Sequence, residues 1–182
     1  MERIDIGLSS WIIQDGNYED FVVGEARRFA LEFYAPEGLN RKDVGDPSLH
    51  ELELDTYSAV GRAVFVAPEV WVLDFGILVY REERPPKQGS IGALFAGRVH
   101  IGIDPFFYTE YLRDVPGMPN LYYDFMIDEI LLETTPWEFS GRVQKRRVGD
   151  RSFVSVSRSD AWNHDGGNAD YVLRCRVLRS AA

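Results

Sequence analysis

The chain has 182 residues, 45% of them hydrophobic and 13% aromatic, and a net charge of −9. That is enough apolar material for one domain, 1–182, with a sizeable core, and it excludes a disordered or low-complexity chain. The acidity speaks against a polyanion as first partner, and a lone cysteine, Cys175, excludes an internal disulfide.

The N-terminus MERIDIGLSSWII lacks the basic start and small-residue cleavage site of a signal peptide. No apolar run approaches the roughly 20 residues of a membrane-spanning helix. With the free cysteine, this reads as a cytoplasmic protein. Arginine outnumbers lysine 17 to 3, a bias that fits a GC-rich, bacterial coding genome. Residues 142–182 hold nine Arg or Lys and four Asp, a net of +5, which leaves −14 for residues 1–141. A basic tail folded back on an acidic body accounts for this; an acidic face for a basic partner, with a separate basic patch, is the alternative.

In chain order, Ile4 to Ile13 is expected as a strand, followed by a turn at Asp15-Gly16. Ala26 to Ala35 is a second strand, with Phe29, Leu31 and Phe33 inward and Arg28, Glu32 and Tyr34 on the other face. Residues 36–47 are loop, and His50 to Asp55 alternates, with Leu52 and Leu54 inward, as an edge strand would. Tyr57 to Ala67 and Val70 to Arg81 form a hairpin about Pro68. In the second of these, Trp71, Leu73, Phe75, Ile77 and Val79 make an unbroken apolar row. Ile91 to Ile103 repeats the pattern on its odd positions. A glycine inside each of these long strands, Gly61, Gly76 and Gly97, points to bends and a curved sheet.

One short helix is expected near 105–115, with Asp104 as its cap and Pro105 in its first turn. Leu121 to Thr135 follows as a strand, with helix as the alternative. Residues 136–139 are irregular, and Arg142 to Arg151 is a basic hairpin. Ser152 to Ser157 is a short strand, 159–169 a loop, and Asp170 to Leu178 the last strand, which buries Cys175 as an inert thiol.

The fold class is therefore mainly β, a single curved, barrel-like antiparallel sheet; a β-sandwich is the alternative. Over residues 57–135, three meandering strands, a helix and further strands are similar to the OB-fold, a small Greek-key barrel. The resemblance is one of fold and rests on no sequence motif.

Three groups of residues are candidates for function. Asp74 lies on the even face of its strand, Arg98 and His100 on the even face of the next. If those strands pair, they form an acid/base or small-anion site, or else a structural ion pair. Trp162, Asn163, His164 and Asp165 lie in a turn-forming stretch that reads as a hairpin connection or a binding loop. Arg142, Lys145, Arg146, Arg147, Arg151 and Arg158 form a basic patch that would suit single-stranded nucleic acid on an OB-like barrel. The Asp-Phe-Gly triplet at 74–76 lacks every other kinase motif. His50, His100 and His164 are far apart, with no metal-ligand spacing, so neither metal nor cofactor is expected. No nucleophile has an evident base. The expected function is a non-enzymatic binding or assembly module, of the immunity or inhibitor type, whose acidic surface holds a protein partner. Self-association through a strand edge is compatible with that. Nucleic-acid binding and an enzyme built on Asp74, Arg98 and His100 are the alternatives.

Overall fold

A computed structural model describes residues 3–87, 89–140, 143–146 and 149–180. Fourteen strands are seen: β1 Arg3–Ser9, β2 Ala26–Phe29, β3 Leu31–Tyr34, β4 Asn40–Lys42, β5 Ser48–Glu53, β6 Thr56–Ala67, β7 Val70–Asp74, β8 Leu78–Arg81, β9 Leu94–Ile103, β10 Tyr123–Glu133, β11 Trp137–Ser140, β12 Val143–Arg146, β13 Phe153–Val156 and β14 Asp170–Ser180. A short helix, α1 Ser10–Gln14, and single helical turns at Tyr108–Leu112 and His164–Gly167 are the helical elements among them.

The expectation of a mainly β, barrel-like chain holds. Strands β9, β3, β8, β7 and β6 pair in a ring, because β9 pairs with β6 as well as with β3. The barrel is closed, so the β-sandwich does not apply. The ring also reaches beyond residues 57–135, the span of the OB-like resemblance. The strand that closes it, β3, precedes that stretch, and β10 lies outside the ring. Two pairings are parallel, β1 with β9 and β3 with β8, so the sheet is not purely antiparallel. From β9 a second run of strands extends through β1, β14 and β10, with β2 and β13 sharing the outer edge of β10.

The odd-numbered row of the middle third is the barrel interior. Trp71, Leu73, Phe75, Ile77 and Val79 are all buried, with Phe95, Val99, Ile101 and Ile103 of β9. Phe33 and Phe95 meet the Trp71 ring edge-on, at 5.6 and 5.2 Å between centroids. Gly61 is required there: a methyl group on it would lie 2.5 Å from the Phe75 ring. The same core continues under the second run of strands, through Ile6, Phe125, Leu173 and Cys175. Burial raises the pKa of the Cys175 thiol, which keeps it protonated and unreactive.

Several boundaries differ from the sequence reading, each for a local reason. Val70 to Arg81 is two strands, because the chain turns back at residues 75–77. Gly76 takes φ +90°, and its N–H donates to Asp74 Oδ1 at 2.7 Å. Residues 10–13 continue as helix rather than strand, which lets Ile12 and Ile13 both bury. The second strand breaks at Ala30, where the chain leaves β10 for β9. Residues 40–42 pair with β9 inside the expected loop. On β5, Leu49 packs against the core, but Leu52 points out and is 54% exposed, since the pairing with β6 shifts register between Glu51 and Glu53. Residues 137–140 pair with 143–146, so the hairpin turns earlier than Gly149. The helix near 105–115 is one turn, Tyr108–Leu112, which starts from Phe107 rather than from Asp104; the Asp104 carboxylate still accepts the Tyr108 N–H at 3.1 Å.

That turn belongs to a strap, residues 104–122, laid over the outside of β7 and β8. Val70, Val72 and Tyr80 are buried there against Tyr108, Leu112 and Leu121.

Candidate functional site

The triad of Asp74, Arg98 and His100 is not assembled, because β6 lies between β7 and β9. Asp74 and Leu94 both sit opposite Arg62, whereas Arg98 faces Ser58 and His100 faces Thr56. Two strand spacings and four to six residues of offset put Asp74 about 16 Å or more from either. Asp74 serves its own turn. Arg98 donates to exposed Glu53 at 3.1 Å.

His100 does line a cavity, on the outside of the barrel where β6 leaves β9. The last pairing on that edge is Thr56 with His100; two residues on, β1 takes over, with Gly7 opposite Gly102. On the other edge of β9, Gly102 faces Glu32 and His100 faces Tyr34. One row across the sheet therefore reads Gly7, Gly102, Glu32. Two adjacent positions without side chains leave a hollow of about 310 Å³.

Carboxylates close in on this floor from two sides. Asp55 Oδ2 lies 2.9 Å from where a Gly7 Cβ would sit. Glu32 Oε1 lies 3.9 Å from where a Gly102 Cβ would sit. Exposed rings stand on the rim: Trp11 of α1, 50% exposed, and Tyr34, 54% exposed. Tyr34 stacks on the His100 imidazole, and the Arg81 guanidinium lies over its ring at 4.8 Å. His100 Nδ1 is 2.8 Å from Thr56 Oγ1, which is itself 3.4 Å from Asp55 Oδ1.

Arg151 forms one wall. It donates to Asp55 Oδ1 at 2.9 Å and to Glu133 Oε2 at 2.8 and 3.2 Å. Burial alone would lower its pKa, but the hydrogen bonds and charges of Glu133 and Asp55 outweigh that, and the guanidinium stays charged. The Glu32 carboxyl is pushed up from 4.5 to about 7, by burial first and then by the charge of Asp104, against the opposing pull of Arg81. Burial also moves His100 down, which favours the neutral ring near pH 7. Asp104, fully buried just past the end of β9, is raised by desolvation, although Tyr80 donates to it at 2.6 Å.

No protein-family model matches the chain, and no curated protein or solved structure matches it either. The cleft must be read from its own chemistry.

The basic patch is largely consumed internally. Besides Arg151, Arg146 donates to Asp165 at 2.8 Å and Asp170 at 3.3 Å, and Arg158 donates to Asp20 at 3.1 Å. Lys145 is exposed, and Arg142 and Arg147 lie outside the described residues. Further along the tail, Arg174 pairs with Asp5 and Glu129, and Arg176 with Asp128. This is the geometry of a basic tail laid on an acidic body.

The loop at 162–165 is pinned rather than free. Asp165 accepts from Trp137 Nε1 at 2.6 Å as well as from Arg146, whose guanidinium lies 4.5 Å from the Trp137 ring. Asn163 bonds to Asp160, and His164 Nδ1 is 3.0 Å from Tyr171 OH. Trp162 remains 67% exposed.

Trp11, Glu32, Asp55, Gly7 and Gly102 were not singled out by the sequence. The one available signal was Glu32 and Tyr34 on the outward face of an otherwise apolar strand. Among the described residues no group of acids, histidines and cysteine is arranged to hold a metal ion, and no helix is long and apolar enough to cross a membrane.

Proposed function

We propose that this protein is a non-enzymatic binding module that holds a basic protein partner on its acidic surface, with the cleft beside Gly7 and Gly102 as the point of capture. The observation that carries this reading is the balance of charge in the cleft. Glu32, Asp55, Glu133 and Asp170 line it, against the Arg151 guanidinium on its wall, the Arg146 guanidinium bonded to Asp170, and an imidazole that favours its neutral form. Such a lining repels anions and favours a cationic group. The exposed Trp11 ring on the rim offers a face to a cation. A protein that shields a basic partner, as an inhibitor or immunity protein does, has use for such a surface. The lone buried cysteine favours a reducing, cytoplasmic setting for that role, and the excess of arginine over lysine a bacterial one.

Nucleic acid fits this surface less well, since Arg146, Arg151 and Arg158 are each bonded to carboxylates.

Calorimetric titration with a Lys- and Arg-rich peptide and with its Glu-rich counterpart tests the reading. Micromolar binding of the basic peptide alone, weakened by added salt, is the expected result. Absence of binding to basic peptides at low salt overturns it.

A further inference from the structure

The cleft has a more specific shape than a general acidic surface requires. Its floor is backbone, because Gly7 and Gly102 lie side by side on parallel strands. The two carboxylates at its edges have oxygens to spare. The hydrogen bonds to Asp55 use Oδ1, from Thr56 and Arg151, while Oδ2 is the atom over Gly7. The influences on Glu32 are burial and the charges of Asp104, Arg81 and Glu82, none of them a hydrogen bond. Above the carboxylates stand two ring systems, on separate elements, half exposed.

We propose that this cleft seats one arginine side chain of the basic partner, its guanidinium lying over the Gly7–Gly102 floor between Glu32 and Asp55, with Trp11 and Tyr34 flanking it. The proposal rests on the reading of the protein as a binder of basic partners. It adds which group is gripped and where.

A guanidinium matches the arrangement better than an ammonium. It is flat, so it lies on the open backbone at Gly102 and against the Trp11 face, and its fork of N–H donors reaches acceptors on two sides at once. The chain already handles its own arginines in this way. Arg146 lies 4.5 Å from the Trp137 ring while donating to Asp165 and Asp170. Arg151 lies 4.8 Å from the Phe153 ring while donating to Asp55 and Glu133. In the cleft, Arg151 takes Asp55 Oδ1 and Arg81 lies over Tyr34, which leaves the Trp11 ring, Asp55 Oδ2 and the Glu32 carboxyl facing the hollow.

Gly102 gives a clean test. A methyl group there would rest in ordinary contact, 3.6 Å from Gly7 O and 3.9 Å from Glu32, so alanine fits the fold while filling the seat. Nitrogen-15 spectra of the protein would be followed during titration with a short neutral peptide carrying one arginine. Parallel titrations would use the same peptide with lysine or citrulline in that place, and free arginine. The arginine peptide is expected to shift the Trp11 indole and Gly102 amide signals, with a dissociation constant of about a millimolar or tighter. The lysine peptide is expected to bind about fivefold weaker or worse. Citrulline, flat but uncharged, should not bind.

Gly102→Ala and Trp11→Ala should each weaken binding of the arginine peptide about tenfold, with the thermal melt of the wild type retained. Equal binding of the citrulline or lysine peptide overturns the proposal. So does unaltered binding by a folded Gly102→Ala protein. Free arginine binding as tightly as the peptide would make the ligand a diffusible guanidinium compound and overturn the assignment to a partner's side chain. If a polybasic peptide binds but shifts signals elsewhere, this seat is wrong while the basic-partner reading stands; if it does not bind at all, both fall.

Discussion

The barrel has two outer faces that were treated differently. On β7 and β8 the outward row is Val70, Val72 and Tyr80, and the strap 104–122 covers it with Tyr108, Leu112 and Leu121. Several polar groups under that cover find partners: Tyr80 donates to Asp104 Oδ1, Tyr108 donates to Pro119 O, and Leu121 N donates to Tyr108, while Asp104 Oδ2 is left without one. On β9 and β3 the outward row is His100, Gly102, Glu32 and Tyr34, and among the described residues no strap crosses it. The difference lies in the side chains. An apolar row repays a cover with burial, roughly 25 cal/mol for each Å². A row of glycine, acid and imidazole does not, and it is left open. Glu32 stands on the border, opposite Tyr80 on one side and Gly102 on the other. Its carboxyl therefore feels buried Asp104 as well as the cleft.

The largest effect should come from the wall of the open face. Arg151→Ala leaves Glu133, 6% exposed, and Asp55, 14% exposed, as uncompensated charges. Loss of one partner from such a network costs about 3–5 kcal/mol, read as a fall in the urea midpoint. A smaller loss, below about 1 kcal/mol, would mean that water already screens these carboxylates. On the covered face, Leu121→Ala removes a fully buried side chain that pins the strap. The expected cost is about 2–4 kcal/mol. If Leu121→Ala proves neutral, the strap is not held by its apolar contacts and the contrast between the faces fails.

The border residue predicts a pH dependence of smaller size. A carboxyl raised from 4.5 to about 7 in the fold keeps its proton where the unfolded chain has lost it. Its contribution to stability is whole below about pH 4.5 and is lost as pH climbs through 7. With some screening from the open cleft, the loss attributable to Glu32 between pH 5 and 8 is about 2–3 kcal/mol. Glu32→Gln should flatten this part of the profile, measured as urea midpoints across that range. Asp104→Asn should bring the Glu32 titration down toward the usual carboxylate range, observed by carbon-13 NMR. An unmoved titration would place the cause wholly in desolvation.

Much of the fold was legible because the interior rows are long and strictly alternating. Trp71 to Val79 and Phe95 to Ile103 declare one buried face whatever their neighbours are. The turn at Asp74-Phe75-Gly76 was hidden because Phe75 and Ile77 keep the alternation through it, so the break shows only in the Asp and Gly that make it. The site was much less legible. Strand pairing decides which outward residues meet, and alternation does not reveal that β6 would separate Asp74 from His100. Nor could local pattern show β1, nearly a hundred residues upstream, beside β9. Arg146 and Arg151 looked like a patch for phosphates, because their acids, Asp165, Asp170, Asp55 and Glu133, come from elsewhere in the chain.

The two glycines of the floor give the smallest effects. At Gly7 an alanine methyl would lie 2.9 Å from Asp55 Oδ2, a group that Arg151 holds in place. Either the carboxylate or the strand must shift, at a cost of about 1–2 kcal/mol. At Gly102 the nearest atoms are 3.6 and 3.9 Å away, and the backbone is not in the left-handed region. Alanine there loses nothing in the fold and restricts the unfolded chain, so the urea midpoint should stay level or rise, by up to about 1 kcal/mol. A cost at Gly102 as large as at Gly7 would make both glycines packing requirements of the β1–β9 contact. The expected inequality instead leaves Gly102 as a glycine that folding does not need, on the one face of the barrel where a missing side chain creates room.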